Sequence, residues 1–376
     1  MLRSIERPFK RGMAAFLGFV FPSRPPRDPF PKNLHRILVI RQHNQLGDML
    51  CVVPLLRALH SAYPGVQISL MTSPVNNEIM LNCRYLTDVI QFDKRDFLHG
   101  KAIRLRRLAE FARRLRRTGF QMVLVPSTVS TSFTSDLLAF LSGAPIRLGA
   151  ASLDGQANPS AFFFNVPVQL DWREEPHRHQ TLRNLDLLAG SGIRASDLSL
   201  EITLNLDELK RGKSFVDKVK LGKTLIIGYH PGAGKPPNRW PAERFAELVE
   251  LLGRQTRAAA VITCGPMDEE QVERVRLALK SPAEIMRNQP IRHVASVLKH
   301  VDLYITNDTG LMHVAAGVGI PVLSLFGPTD PRQWAPIGPR KRYIQGERGD
   351  ITNITVDQVL AVATEMLLQS HSSNEK

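Results

Sequence analysis

A short apolar run, Ile37-Leu38-Val39-Ile40, meets a polar loop, then a helical stretch from about Met49 to Ser61, then a second apolar run, Gln67 to Met71. Short apolar runs bounded by charge read as buried strands, and strand, loop, helix and strand in that order make a βαβ unit. The helix carries the chain back along the sheet, so the two strands run parallel. Val89–Phe92, a helix over 101–118 and Met122–Val125 continue the alternation. Residues 150–180 break it, 181–190 read as a helix stopped by Gly190 and Gly192, and the polar, lysine-rich 205–222 read as a domain boundary.

The second half restarts the same programme. Thr224–Tyr229 reads as a strand, His230–Asn238 as a Gly/Pro loop, Pro241–Arg254 as a helix with proline in its first turn, and Ala259–Thr263 as a strand. A helix over Asp268–Lys280, strands Val301–Thr306 and Val322–Phe326 flanking a helix Gly310–Gly317, and a last amphipathic helix over 355–369 complete it. At 376 residues the chain has room for two domains. The expectation is two doubly wound α/β domains in tandem, with ligands at the carboxyl ends of their strands.

The formal charge of +14 is confined to two segments. Residues 1–36 carry a net +6 and residues 94–117 a net +8, so the other 316 residues are neutral. Something acidic is expected at those two surfaces. The arginine-rich helix could track nucleic-acid phosphates. However, no recognition motif is present and aromatics are not regularly interleaved with the arginines, which argues against nucleic acid. Three scattered cysteines, Cys51, Cys83 and Cys264, exclude a disulfide framework and a four-cysteine zinc site. The run Gly12–Phe21 is too short to span a membrane, and Pro22-Ser-Arg-Pro-Pro26 replaces a signal cleavage site. It reads either as a frayed tail or as an interfacial helix inserting Phe16, Leu17, Phe19, Val20 and Phe21.

Three loops carry chemistry. Asp48, after Gly47, reads as a helix N-cap or as a carboxylate able to take a proton from a hydroxyl. In His230-Pro-Gly-Ala-Gly-Lys235-Pro-Pro-Asn-Arg239-Trp-Pro241, glycines let backbone N–H groups approach a phosphate, and Lys235 and Arg239 add charge. Pro236 follows Lys235 where a P-loop has Ser or Thr, so this is no P-loop, and a third glycine is missing for a dinucleotide fingerprint. In Asn307-Asp308-Thr309-Gly310-Leu311-Met312-His313, the Thr309 hydroxyl and the N–H groups of Gly310 and Leu311 form an anion nest at a helix start. His313, one turn in, reads as a core histidine or a ligand contact. Two anion loops in one domain suggest a diphosphate, as in a nucleotide-sugar. Phe326-Gly-Pro-Thr-Asp330-Pro331 reads as a turn with some ligand contact.

Gly47-Asp48 with Pro54–Leu59, the 230–241 loop, Asn307–Ala316 and Phe326–Pro331, in this order and spacing, resemble the lipopolysaccharide heptosyltransferases, glycosyltransferase family 9. The resemblance covers about residues 36–335. It implies an α/β GT-B fold, two Rossmann-like doubly wound domains facing across a cleft. The expected domains are a basic and apolar arm over 1–35, an acceptor-binding domain over 36–205, a donor-binding domain over 206–350, and a C-terminal helix and tail over 351–376. The implied activity is inverting transfer of a heptose from ADP-heptose to a lipopolysaccharide inner-core acceptor, without metal or cofactor. Transfer of another nucleotide-sugar, or to another lipid-linked glycan, is the alternative. By resemblance Asp48 is the general base. Gly232, Ala233, Gly234, Lys235 and Arg239, with Thr309, Gly310 and Leu311, hold the donor diphosphate. Asp308 and His313 complete the donor pocket, and Asp268 or Glu269 contacts the ribose. One departure is Asn238, where many members carry a basic residue; Lys235 is the nearest substitute. The charge in the first half is then expected to meet an anionic glycolipid acceptor and its leaflet, through Arg104, Arg107, Arg113, Arg114, Arg116 and Arg117. The implied location is cytoplasmic, peripheral on the inner face of the inner membrane.

Overall fold

The computed structural model describes residues 24–374 apart from 43, 44, 100, 101 and 221. The run Gly12–Phe21, with its five candidate inserting side chains, lies outside the described residues. The contacts divide the chain into two units. The first comprises residues 1–44, Cys51–Asn77 and Arg84–Asp197; the second comprises Gln45–Leu50, Glu78–Cys83 and Leu198–Lys376. The second unit thus includes two short excursions from the first half of the chain.

In chain order the first half contains β1 (Arg36–Arg41), α1 (Leu46–Leu50), α2 (Val53–Ala62), β2 (Gln67–Thr72), β3 (Asp88–Gln91), β4 (Leu98–His99), β5 (Ala102–Ile103), α3 (Leu105–Arg117) and β6 (Met122–Val125). Then come α4 (Phe133–Leu141), β7 (Ile146–Leu153), β8 (Gln156–Ala157), β9 (Val166–Leu170) and α5 (Gln180–Leu185). The main sheet runs β3-β2-β1-β6-β7-β8, with β9 also paired to β7. The order reverses between β1 and β6, the topological switch point of a doubly wound sheet. The stretch 150–180, unpatterned in sequence, holds the end of β7, then β8 and β9. Pro167 and the half-exposed positions of β9 hide it from a search for apolar runs. Helix α3 buries Ala112 and Leu115, with Leu115 in one core cluster with Phe92, Phe120 and Val123, and its arginines 107, 113, 114, 116 and 117 are exposed.

The second half contains α6 (Leu206–Lys220), β10 (Ile226–His230), α7 (Ala242–Thr256), β11 (Ala259–Cys264), α8 (Glu269–Ala278), β12 (Glu284–Arg287), α9 (Ile291–Leu298) and β13 (Leu303–Asn307). It closes with α10 (Gly310–Gly317), β14 (Val322–Phe326), α11 (Pro331–Trp334), β15 (Lys341–Gln345) and α12 (Val356–Asn374). The six strands run β12-β11-β10-β13-β14-β15, all parallel. This is the dinucleotide-binding order, with its switch point between β10 and β13. Trp240, Phe245, Val249 and Val272 pack one face of it, closed by Val359, Ala363 and Met366 of α12.

The lysine-rich stretch read as a domain boundary holds helix α6, which belongs to the second unit, whose long run begins at Leu198. It buries only Glu208, Gly212 and Val216, one narrow stripe, so its composition reads as solvated. Gly212 lets it lie against α9: a Cβ there would stand 2.1 Å from the Ser296 carbonyl oxygen. Arg292 of α9 holds both carboxylate oxygens of Glu208, at 2.5 and 2.7 Å. Its remaining donors reach the carbonyls of Glu78, Leu81 and Thr203. One buried guanidinium therefore gathers three chain segments of the second unit.

In the first unit the Asp136 carboxylate is buried in α4. It accepts from the Ser160 hydroxyl at 2.6 Å and from the Asn158 amide at 3.0 Å. Burial outweighs these bonds and lifts its pKa from 3.8 to about 6. A carboxyl whose folded pKa is raised contributes stability that is complete below its unfolded value and is lost as pH rises through the folded one. Between pH 4 and pH 8 the wild-type protein is expected to lose roughly 3 kcal/mol of unfolding free energy relative to Asp136→Asn. Parallel urea-unfolding curves for the two proteins across that range would remove this assignment.

Candidate functional site

The switch point of the second sheet is where the sequence motifs meet. A cavity of about 340 Å³ opens at the carboxyl ends of β10, β11, β12 and β13. Ala233 and Gly234 line it from the loop after β10, Asp268 from the loop after β11, and Thr309, Gly310 and Leu311 from the start of α10. Met267, Met286, Ile291 and Val294 supply an apolar wall, and Leu46 of α1 forms part of the rim. The spacing patterns gave no signal for these apolar residues. They come from four elements, and only the sheet order collects them.

Asn307, the last residue of β13 and fully buried, ties the two motif loops together. Its Nδ2 donates to the carbonyls of Pro231 at 2.8 Å and Gly232 at 3.2 Å, and its Oδ1 accepts from the Trp240 backbone N–H at 3.2 Å. Arg239 closes the same loop by donating from Nε to the Ala233 carbonyl at 2.8 Å. Lys235 is exposed, beside the cavity rather than in its lining. Gly232 is required by Asp268: a Cβ there would fall 2.1 Å from the Asp268 Oδ1. Asp268 in turn accepts the Gly265 backbone N–H at 3.0 Å, which shapes the loop after β11. Glu269 faces away, bonded to Arg287 and Asn288.

His230 ends β10, buried, with Nδ1 3.1 Å from both the carbonyl and the hydroxyl of Thr263. Burial pushes its pKa below the usual histidine value, against the pull of Asp268, whose Oδ2 lies 3.8 Å from Nε2. The imidazole is thus a neutral brace near pH 7. Asp308 accepts from the Asn238 amide at 3.0 Å, and Asn238 also donates to the Thr329 hydroxyl at 3.1 Å. Burial raises the Asp308 pKa, opposed by the Thr329 hydroxyl and the charge of Lys235. Asn238, the departure noted in sequence, therefore links the Asn307–Gly310 motif to the Phe326–Pro331 turn. Gly327 allows that approach, since a Cβ would stand 2.5 Å from the Pro237 carbonyl oxygen.

Helix α10 is polarised by its surroundings. At its start Thr309 is in the extended N-cap conformation, with its side chain making no cap bond. The Thr309 hydroxyl is shielded from solvent and has no hydrogen-bond partner among the described residues. The N-terminal N–H groups face the cavity end, a ready anion site. Beyond its last turn Lys299 donates to Val318 O and Arg340 to Gly319 O, each at 2.8 Å, and Lys341 donates to Ile320 O. Burial and its two cationic neighbours lower the Lys341 pKa to about 8.

Asp48 belongs to α1, within the second unit, and is 1% exposed. Leu46 packs on Gly310 and Gly47 on His313, which itself lies outside the cavity lining. In the first unit a separate cavity of about 330 Å³ lies at the carboxyl ends of β1, β2 and β3. Gln42, Ser73, Lys94 and Arg95 line it, and the Gln42 Nε2 and Ser73 Oγ are buried without hydrogen-bond partners. These four residues were not singled out as site residues from sequence. Lys94 and Arg95 fell in the basic segment, but Gln42 and Ser73 give no pattern. Arg104 is half-buried at the N-cap of α3, ahead of the exposed arginines of that helix.

Two doubly wound α/β units, one with an anion-receptive loop pair at its switch point, define the GT-B class of glycosyltransferase. Residues 108–359 match the sequence profile of Glycosyltransferase family 9 (heptosyltransferase). The chain belongs to glycosyltransferase family 9. It is 25% identical over 366 residues to lipopolysaccharide heptosyltransferase 2 of Escherichia coli K12, covering 90% of this chain and 100% of the relative. A shorter match, 32% over 165 residues, links 40% of it to 47% of lipooligosaccharide heptosyltransferase 2 of Haemophilus influenzae. The solved structure of E. coli ADP-heptose lps heptosyltransferase II superposes with a TM-score of 0.75 at 22% identity, over 89% of this chain and 99% of that one. The GT-B fold expected from the motifs is the fold observed.

Replacing Asn307 by Ala leaves two buried carbonyls and one N–H without partners. The expected cost is about 1–3 kcal/mol in urea unfolding. A variant as stable as the wild type would show that the loop is held by other contacts.

Proposed function

We propose that the protein transfers a heptose from ADP-heptose to a lipopolysaccharide inner-core acceptor, with inversion at the anomeric carbon and without a metal ion. The observation that carries this reading is the meeting of the 230–239 loop with the start of α10 at one switch-point cavity. The 36–205 region would bind the acceptor and the 206–350 region the donor, with the 351–376 helix and tail behind the latter.

In this reading the donor diphosphate lies on the N–H groups of Gly310 and Leu311 and on the Thr309 hydroxyl. Backbone groups of Gly232, Ala233 and Gly234 approach it from the facing loop. Lys235 and the start of α10 neutralise the charge that develops on the leaving diphosphate, and Arg239 keeps the loop in shape. The apolar wall of Met267 and Met286 suits the face of a base, with Asp268 at its edge. Asp308 is braced by Asn238 beside the sugar. The Asp48 carboxylate takes the proton of the acceptor hydroxyl as that oxygen bonds to the anomeric carbon. The bond from that carbon to the diphosphate oxygen breaks on the opposite face, and the nucleoside diphosphate leaves with the electron pair.

On the acceptor side, the first-unit cavity offers Lys94, Arg95, Ser73 and Gln42 to an anionic sugar. The exposed face of α3 adds Arg107, Arg113, Arg114, Arg116 and Arg117, with Arg104 at its start, toward an anionic leaflet. This charge supports the proposed peripheral attachment at the inner face of the inner membrane. Among the described residues no helix is long and apolar enough to cross a membrane. Asn238 favours a second reading: the family resemblance implies a cation at this position, so a family transferase using a different nucleotide-sugar is the alternative.

A donor panel read by mass spectrometry decides between the two. ADP-heptose is expected to give product, with a chelator leaving the rate unchanged; turnover only with UDP- or GDP-sugars would overturn the donor assignment. Asp48→Asn is expected to lower kcat about 10²–10⁴-fold, and full activity would remove it as the base. Reversing Arg113, Arg114 and Arg117 to Glu is expected to weaken binding to anionic vesicles by at least fivefold per position. Unchanged vesicle binding and acceptor use would give this charge another purpose.

A further inference from the structure

Three consecutive residues of α1 meet the second unit in different ways. Leu46 covers Gly310: a Cβ on Gly310 would lie 3.0 Å from the Leu46 Cβ. Gly47 rests on the His313 ring so closely that a Cβ there would stand 2.7 Å from Cδ2 and 2.8 Å from Nε2. Asp48 follows, almost wholly buried. Gly310 and His313 are three apart on α10, so they present one face of that helix to α1. His313 is 3% exposed, and its ring stands edge-on to Trp334, with centroids 6.3 Å apart at 78°. The imidazole is thus wedged between Trp334 and the backbone of Gly47, and it is absent from the cavity lining that its neighbours Thr309, Gly310 and Leu311 share.

We infer that His313 is a positioning residue for Asp48: its ring is the seat on which Gly47 rests, and through that contact α10 sets where the carboxylate stands. This deepens the reading of Asp48 as general base and rests on it. A five-residue helix has little stability of its own, so its placement must come from tertiary contacts. The flat ring accepts a backbone at glycine distance and no closer side chain. The same helix start that receives the diphosphate therefore also locates the base, and donor and base are indexed to one rigid element. His313 acts through this seat, whereas the motif left it as a core histidine or a ligand contact and the family resemblance implied a donor contact.

The test uses the full chain with His313→Ala, His313→Gln, Gly47→Ala and the double variant Gly47→Ala/His313→Ala. The readouts are kcat, donor KM, ADP affinity by calorimetry, and amide hydrogen exchange over Leu46–Leu50. His313→Ala and Gly47→Ala are each expected to lower kcat about 100-fold, the scale of a misplaced catalytic group, with ADP affinity within twofold. Exchange at 46–50 is expected to quicken in His313→Ala while β13 and α10 stay protected. His313→Gln, planar and of similar reach, is expected to recover most of the loss. The double variant is expected to be no slower than His313→Ala, because the truncated side chain makes room for the added methyl. A tenfold loss of ADP affinity with unchanged exchange would return His313 to the donor pocket. Wild-type kcat in Gly47→Ala, or additive losses in the double variant, would also overturn the seat. If the wild type fails to use ADP-heptose, the functional reading falls, whereas the exchange measurement still decides the seat.

Discussion

A single buried amide, that of Asn307, holds together the two motif loops at the switch point of the second sheet. It sits where the sheet order reverses and bonds across to the neighbouring loop, so the two loops share one fixed reference. A glycine-rich loop is entropically expensive to order. Here its carbonyls at Pro231 and Gly232, and the N–H of Trp240 where it rejoins the core, are fastened to a strand end. Trp240 anchors the far side by donating its ring N–H to the Ile354 carbonyl at 2.9 Å. The loop thus arrives preorganised, which the proposed stabilisation of a leaving diphosphate requires.

Helix α10 is the second common element. Its start offers backbone N–H groups and the Thr309 hydroxyl, its flank carries α1, and three cations occupy the carbonyls just past its end. Cations there favour the negative pole of the helix dipole and keep the short helix intact. Because α10 is only eight residues long, its first and last turns, where such end effects act, make up the whole helix.

Much of this was legible in the chain. The apolar runs Met122–Val125 and Val322–Phe326 are strands with the bounds their composition suggests, and the helix after Thr309 spans the residues its pattern marks. Fully buried parallel strands announce themselves because both faces are apolar. Helix α6 and strand β9 did not, since each buries little and mixes polar residues into its pattern. The motifs proposed to hold the donor were legible because they are contiguous loops. Three things were not: the apolar wall from Met267 to Val294, the brace from Asn307, and the seat of Gly47 on His313. Each joins residues far apart in sequence, so only the folded sheet order brings them together. The motif residues also divide into those that line the cavity, such as Gly234 and Thr309, and those that shape it, such as Arg239 and Asp308, a distinction spacing cannot make.

The crowding of Gly232 by Asp268 has an evolutionary side. The carboxylate occupies the volume a side chain at 232 would need, and it also fastens the turn at Gly265. Enlarging residue 232 therefore evicts Asp268 and loosens the loop after β11, while shortening Asp268 relieves the pressure that keeps 232 a glycine. The constraint is therefore one of order: residue 232 can grow only once Asp268 has been shortened or displaced.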